Sequence, residues 1–273
     1  MITFPNAKIN LGLNITGLRA DGYHNLETVF YPVPLEDALE LHPLPDSDHQ
    51  KCRLHCSGIA IDGNPEDNLV VKAYHLLDEE FHLPPVNIHL FKHIPSGAGL
   101  GGGSSDAAFM LKLLNERFAL NLTVEQLEGF AATLGADCAF FIRNKPTFAT
   151  GVGNVFSPIA LSLTGYQLLI VKPDIFVSTR EAFAKITPHQ PLLPLREVIA
   201  RPVTAWKEHL VNDFEASVFP QHPAISQIKE TLYQQGAVYA AMSGSGSSVF
   251  GLFRSETELP ENLPHACYRF TLS

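Results

Sequence analysis

Between residues 95 and 106 the chain reads PSGAGLGGGSSD, with Gly97, Gly99, Gly101, Gly102 and Gly103 in quick succession. Glycine lets the backbone approach a ligand closely and take positive φ. A helix entered from such a run presents N–H groups without partners and the positive end of its dipole, a combination suited to phosphate. Ser104 and Ser105 add hydroxyls able to meet phosphate oxygens or Mg²⁺. A flexible linker has a similar composition, but this run is set between two well-patterned segments, which argues against a linker. Gly97, Gly99 and Gly102 match the G-x-G-x-x-G fingerprint of dinucleotide folds. That fold continues from helix into a parallel strand ending in an acidic residue, whereas here a second helix follows. No Gly-Lys-Ser/Thr closes the run as in a P-loop, and the HRD and DFG segments of protein kinases are absent. Phosphate binding survives all three exclusions.

The remaining chemistry-bearing residues say less on their own. Cys52 and Cys56 bracket His55, but no second ligand pair stands at zinc-site spacing, and CRLHC alternates like a strand. No metal ligands are assigned among the cysteines or the scattered histidines. Four cysteines are too few and too irregular for a disulfide framework, which predicts reduced thiols and a cytoplasmic location. Asp137 follows a helix, where aspartate commonly caps or turns. The Gly/Ser segment 243–247 reads either as a plain hairpin turn or as N–H groups that close on phosphates.

The elements that must position these residues follow from periodicity. Residues 7–15 alternate around Ile9, Leu11, Leu13 and Ile15, then Asp21-Gly22 supplies a turn and 26–31 returns as a second strand. Residues 43–50 read as a polar loop. Apolar residues at helical spacing over 68–81 end at Pro84-Pro85, and 86–94 is a strand running into the glycine loop. A helix is predicted over 107–118. Another starts at Thr123, with Gln126 as its capping-box partner, and stops near Gly135. Past a punctuated stretch around Gly151, Gly153 and Pro158 the pattern restarts, with a strand at 166–172, helices near 196–218 and 224–235, and a strand-turn-strand over 238–253. Mixed helices and strands without strict alternation indicate α+β, with a boundary near 156 that divides the chain into 1–155 and 156–273.

Composition bounds what such a fold can meet. The 273 residues carry 19 Lys+Arg against 28 Asp+Glu, a net charge of −9, which argues against binding nucleic acid or an anionic membrane surface. At 45% hydrophobic and 17% charged, the chain has the makings of a packed core. The opening MITFPNAKINLGLNI lacks a cationic leader with an apolar stretch behind it, and no apolar run approaches the ~20 residues of a membrane span.

Several of these segments resemble one family. PSGAGLGGGSSDAA is similar to the second motif of the GHMP small-molecule kinases, named for galactokinase, homoserine kinase, mevalonate kinase and phosphomevalonate kinase. PNAKINLGLNITGLRADGYHNLETVF, LGADCAFF, NDFE at 212–215 and MSGSGSSVFGLF resemble, in order along the chain, a branch of that family. In that branch the acceptor is a methylerythritol carried on a cytidyl diphosphate. The resemblance implies a two-domain α+β fold with ATP on the glycine loop of the N-terminal domain and the active site in the cleft between the domains. It implies transfer of the ATP γ-phosphoryl to the acceptor's 2-hydroxyl, a step of the non-mevalonate isoprenoid route, with Mg²⁺ as ATP's partner. One departure is Cys138-Ala139, where the family usually has a small apolar residue and proline after the aspartate.

The same resemblance assigns roles. Asp137 and Lys8 match the family's catalytic pair, the carboxylate accepting the hydroxyl proton and the ammonium steadying the transferring charge. Pro95, Ser96, Gly97, Ala98, Gly99, Leu100, Gly101, Gly102, Gly103, Ser104 and Ser105 hold ATP, with Asn68 and Lys92 near its adenine. Asn10 holds the acceptor hydroxyl, Tyr23 and His24 meet the cytosine, and Phe183 with Thr179 lies across the base. Of the two readings of the 243–247 turn, the one that closes on phosphates gives Ser243 and Gly244 to the substrate's phosphates. The competing expectations are another GHMP kinase of mevalonate or homoserine type, a nucleotide-binding protein without activity, and an NAD-dependent oxidoreductase. No protein, nucleic-acid or membrane partner is predicted, and the oligomeric state is left open.

Overall fold

The computed structural model describes residues 1–44, 50–61, 63–261 and 263–272. Residues 45–49 of the polar loop expected over 43–50 lie outside the described residues. The chain forms two compact units, Met1–Ala7 with Pro34–Ser96 and Gly101–Lys145, and Lys8–Val33 with Gly97–Leu100 and Pro146–Ser273.

The first unit holds strands β1 (Ile2–Thr3), β4 (Ala38–Pro43), β5 (Cys52–Gly58) and β6 (Val86–Lys92) in the order β1-β4-β6-β5. β4 runs antiparallel to β6 and β5 runs parallel to it, the latter joined through helix α1 (Leu69–Phe81). The period-two alternation of β6 turns Val86, Ile88 and Leu90 inward, and Lys92 with them. Helices α2 (Gly102–Arg117), α3 (Val124–Leu134) and α4 (Cys138–Arg143) complete the unit. Ala107, Ala108, Leu111 and Leu114 form the buried stripe of α2. The Thr123–Gln126 capping box opens α3 and Gly135 closes it.

In the second unit, β2 (Asn6–Leu18), β3 (His24–Glu36), β7 (Thr147–Thr150) and β8 (Val155–Pro158) form one sheet in chain order. The other sheet takes the order β10-β11-β9-β12, from β9 (Tyr166–Lys172), β10 (Tyr239–Met242), β11 (Val249–Arg254) and β12 (Ala266–Thr271). Its pairs are all antiparallel. Leu13, Ile15, Leu169, Val171, Phe214, Ile225, Val249 and Phe253 share one buried cluster there. Short helices α5 (Thr179–Phe183), α6 (Leu195–Ile199) and α7 (Phe214–Val218) precede the longer α8 (Pro223–Gln234).

Two sequence expectations change in the structure. The helix expected over 196–218 is broken into α6, a single 3₁₀ turn at Val203–Ala205 and α7. Pro202 has no N–H to continue α6, and residues 211–213 pair with β2 instead of coiling. α2 begins at Gly102 rather than Ala107, because Gly101 takes the left-handed conformation at its N-cap and the following glycines accept helical angles.

Candidate active site

The glycine loop is shaped by what lies against it. Gly99 has φ +77°, and a Cβ there would fall 1.9 Å from the carbonyl oxygen of Ser243, so only glycine fits. Gly101, at φ 72°, turns the chain into α2 without placing any side chain over the helix end. The first N–H groups of α2 therefore keep no capping acceptor, and the helix dipole adds positive potential. Ser105 contributes a buried hydroxyl that has no hydrogen-bond partner. Donors without acceptors, a helix N-terminus and an unpartnered hydroxyl fit a polyphosphate and its divalent cation. Ser104 hydrogen-bonds the Cys138 thiol, which burial pushes up to about 11, so the cysteine is a packing residue rather than a thiolate.

Lys8 and Asn10 lie two apart on β2 and so share a face. Both are buried. The Lys8 ammonium donates to Asn10 Oδ1 at 2.7 Å and to the Gly99 carbonyl at 3.1 Å. Asn10 Nδ2 donates to Thr28 Oγ1 at 2.9 Å, which fixes the amide's orientation. Ser243 Oγ donates to Gly99 O at 2.9 Å and accepts from Asn10 N at 3.3 Å. Lys8, Asn10, Gly99 and Ser243 are thus one hydrogen-bonded group in the second unit. The Lys8 side chain is oriented by these acceptors, since a buried polar group without partners costs roughly 2–7 kcal/mol.

Asp137 occupies the step between α3 and α4 in the first unit, with φ −83° and ψ −12°. Its side chain does not cap α4, so the capping role that its position suggests is not the one it plays.

Of the residues expected to meet the base, Tyr23 is 66% exposed at the β2–β3 turn. His24 and Phe183 are brought together, their rings stacked at 4.7 Å and 20°. A planar base cannot enter between two rings at that spacing, so it can stack only on an outer face. Phe183 is held edge-on by Phe214 at 4.8 Å. Thr179 starts α5 directly after its Ser178 cap.

Asn68 spends its side-chain oxygen on the N-terminus of α1, accepting from Val70 N at 2.9 Å. Lys92 is directed elsewhere than a ligand. Its ammonium is shared by the carboxylates of Asp37 and, at 2.7 Å, Asp106. Asp37 also accepts from the His93 and Ile94 N–H groups at 2.6 and 2.8 Å. Although burial opposes its charge, the two carboxylates hold Lys92 above its ordinary range. Burial pushes Asp106 up to about 7, against the pull of Lys92, and its Oδ1 has no partner. This triad ties the end of β6 to the first turns of α2 and so to the glycine loop. Sequence reasoning passed over Asp37 and Asp106; their signal was a charged residue at an inward position of a β-alternation, which requires a buried counter-ion.

Among the described residues no group of three or more His, Cys, Asp or Glu is placed to hold a metal ion, and all four cysteines are free. No helix among them is long and apolar enough to cross a membrane.

The chain's sequence matches two family descriptions, "GHMP kinases N terminal domain" over residues 68–145 and "GHMP kinases C terminal" over 196–265. It is 74% identical to a 4-diphosphocytidyl-2-C-methyl-D-erythritol kinase of Bacteroides thetaiotaomicron, over 96% of this chain and 95% of that protein. To the protein of the same name from Porphyromonas gingivalis it is 52% identical, covering 99% and 98%. A crystal structure of 4-(cytidine 5'-diphospho)-2C-methyl-D-erythritol kinase superposes with a TM-score of 0.79 at 32% identity, over 92% and 90% of the two chains. The mevalonate kinase of Methanococcus jannaschii shares the fold alone, with a TM-score of 0.67 at 14% identity over 94% and 92%.

Proposed function

Because the chain belongs to the GHMP kinases, and within them to the 4-diphosphocytidyl-2-C-methyl-D-erythritol kinase family, we propose that it phosphorylates that cytidyl substrate at the 2-hydroxyl with ATP. The observation that carries this reading is the whole-length identity to the named kinases. The geometry agrees with it at the glycine loop, where uncapped N–H groups and an unpartnered hydroxyl suit the phosphates of ATP. ATP supplies the phosphoryl group, and Mg²⁺, with Ser105 or its neighbour Ser104 as a fitting oxygen ligand, would screen the charge that develops.

The residues take the following parts. Asp137 accepts the proton of the 2-hydroxyl as its oxygen attacks; the new O–P bond forms while the bond to the leaving ADP breaks. Lys8, aligned by Asn10 and the Gly99 carbonyl, lends positive charge to the transferring group. Asn10 positions the acceptor. Tyr23 stacks on the cytosine, His24 pairs with its edge, and Phe183 with Thr179 completes the base site. Ser243 and Gly244 meet the diphosphate. Residues 95–105 hold ATP, with Asn68 beside the adenine. Lys92 serves that site through Asp106 and α2, since its own ammonium is taken. We further propose that residues 1–155 carry nucleotide binding and 156–273 complete the substrate site. The protein works in the cytoplasm on small molecules, without nucleic-acid or membrane partners.

A coupled ADP-release assay with the cytidyl substrate, mevalonate and homoserine in parallel tests the proposal. Turnover of the cytidyl compound alone is expected. Turnover of either other alcohol in its place would overturn the substrate assignment.

A further inference from the structure

The NDFE segment at 212–215 is tied by several hydrogen bonds to the strand end and turn at 242–244. Asn212 is buried, and both hydrogens of its amide are committed, one to the Met242 carbonyl and one to the Gly244 carbonyl, each at 2.8 Å. Its oxygen accepts from Phe214 N at 3.0 Å, so the amide's orientation is fixed by three bonds. Asn212 is in turn anchored to β2: Leu13 N donates to Val211 O and Asp213 N to Leu13 O, both at 2.8 Å. The Asp213 carboxylate accepts from Ile15 N at 2.6 Å. Glu215 completes the clamp by accepting from Met242 N at 2.8 Å, with its other oxygen on the Lys229 ammonium at 2.5 Å.

The turn held in this way has an unusual inventory. Ser243 N donates to Ser248 O and Gly246 N to Ser243 O, closing the turn at its base. Ser248 N reaches the Ala98 carbonyl and the Ser243 hydroxyl reaches that of Gly99, so the turn also fixes the middle of the glycine loop. Among the described residues the N–H groups of Gly244, Ser245 and Ser247 donate to no backbone or side-chain acceptor. Three neighbouring donors left over in a turn with Gly244 at φ 55° form a concavity suited to an anion. Donors of this kind keep their arrangement only if the carbonyls around them are held, and Asn212 holds that of Gly244 within the turn and that of Met242 at its entry.

We propose that Asn212 is a positioning residue whose amide sets the 243–247 turn so that its unpaired N–H groups bind the oxygens of a diphosphate. The inference depends on the kinase function proposed for this chain. It adds a residue that touches no ligand and acts through the turn. The diphosphate is that of the cytidyl substrate or that of the nucleotide, and the two are separable by kinetics.

The test is Asn212→Ala, with both KM values and kcat measured. It removes both donors and leaves the Met242 and Gly244 carbonyls unheld. An increase of about 10- to 100-fold in the KM of the cytidyl substrate, with the ATP KM and kcat within about threefold, supports the inference and assigns the substrate's diphosphate. The same rise confined to the ATP KM supports the clamp and assigns the nucleotide. A folded variant with both KM values unchanged overturns it. Should Asn212→Ala fail to fold, amide hydrogen exchange on the wild-type enzyme decides: CDP or ADP protecting the amides of 244, 245 and 247 supports the inference, and protection by neither overturns it. Wild-type enzyme that leaves the cytidyl substrate unphosphorylated would defeat the functional reading instead, while the exchange experiment would still report on the turn.

Discussion

Asp137 stands at the end of α3 without capping α4, so its carboxylate is not committed to holding that helix. Asp137→Asn keeps the size and removes the carboxylate to which the proton acceptance is assigned under the proposed function. Steady-state kinetics should show kcat reduced by a factor on the order of 10²–10⁴, with the ATP KM changed little. Undiminished kcat would remove Asp137 from the chemistry. Asp106 offers a different prediction, one of stability. Its pKa is raised by burial from 3.8 to about 7, so the folded protein binds this proton more tightly than the unfolded chain. With more protons bound in the native state, the group's contribution falls as pH rises from about 4 to about 7 and is level above that. Asp106→Asn, which cannot titrate, should lack this decline; urea unfolding of both proteins across that range checks it. An identical pH slope for variant and wild type would contradict a carboxyl group held protonated by burial up to about pH 7. Asp37→Asn is expected to be the more damaging change, because Asp37 serves Lys92 and two backbone N–H groups at once.

At the scale of elements, α3 shows local sequence rules operating unaided. Thr123 Oγ1 accepts from Gln126 N at 3.3 Å while Gln126 Oε1 accepts from Thr123 N at 2.9 Å. Both residues are exposed, so Thr123→Ala should cost about 1 kcal/mol in urea unfolding without altering catalysis. Elements of this kind were legible in the sequence: β9 over 166–172, α1 from its apolar spacing, α8 and the β10–β11 hairpin all follow from period and turn residues. What was not legible depends on contacts far apart in the chain. Residues 211–213 fall inside the span expected to be helical yet bond to β2, nearly two hundred positions earlier. The glycines at the start of α2 suggest loop by propensity but become helix once Gly101 has turned the chain. The site divided the same way. Its glycine loop was visible as a run of glycines, and Lys8 and Asn10 shared a face by strand period. The true partners of Lys92 were invisible, because nothing local says that Asp37 and Asp106 come to it. The stacking of His24 on Phe183 was hidden for the same reason, as only the fold sets the spacing between their two segments.

Across the whole molecule, a net charge of −9 has to accommodate two polyanionic ligands. Under the proposed function the answer is local: backbone N–H groups at the start of α2, those of the 243–247 turn and the buried ammonium of Lys8 are the sources of positive potential it calls on. The two compact units are interleaved along the chain, with residues 8–33 and 97–100 grouped with the C-terminal part rather than with their neighbours in sequence. That grouping follows from the bonds of Lys8, Ala98 and Gly99 to one another and to the Gly/Ser turn. The claim that unites these features is phosphoryl transfer to the 2-hydroxyl of the cytidyl substrate. Phosphorus NMR of the wild-type reaction with ATP and Mg²⁺ tests it most directly. A new phosphomonoester resonance on the substrate, matched by ADP and with the cytidyl diphosphate intact, is the predicted result; ATP left unspent, or inorganic phosphate appearing in place of the phosphomonoester, would contradict it.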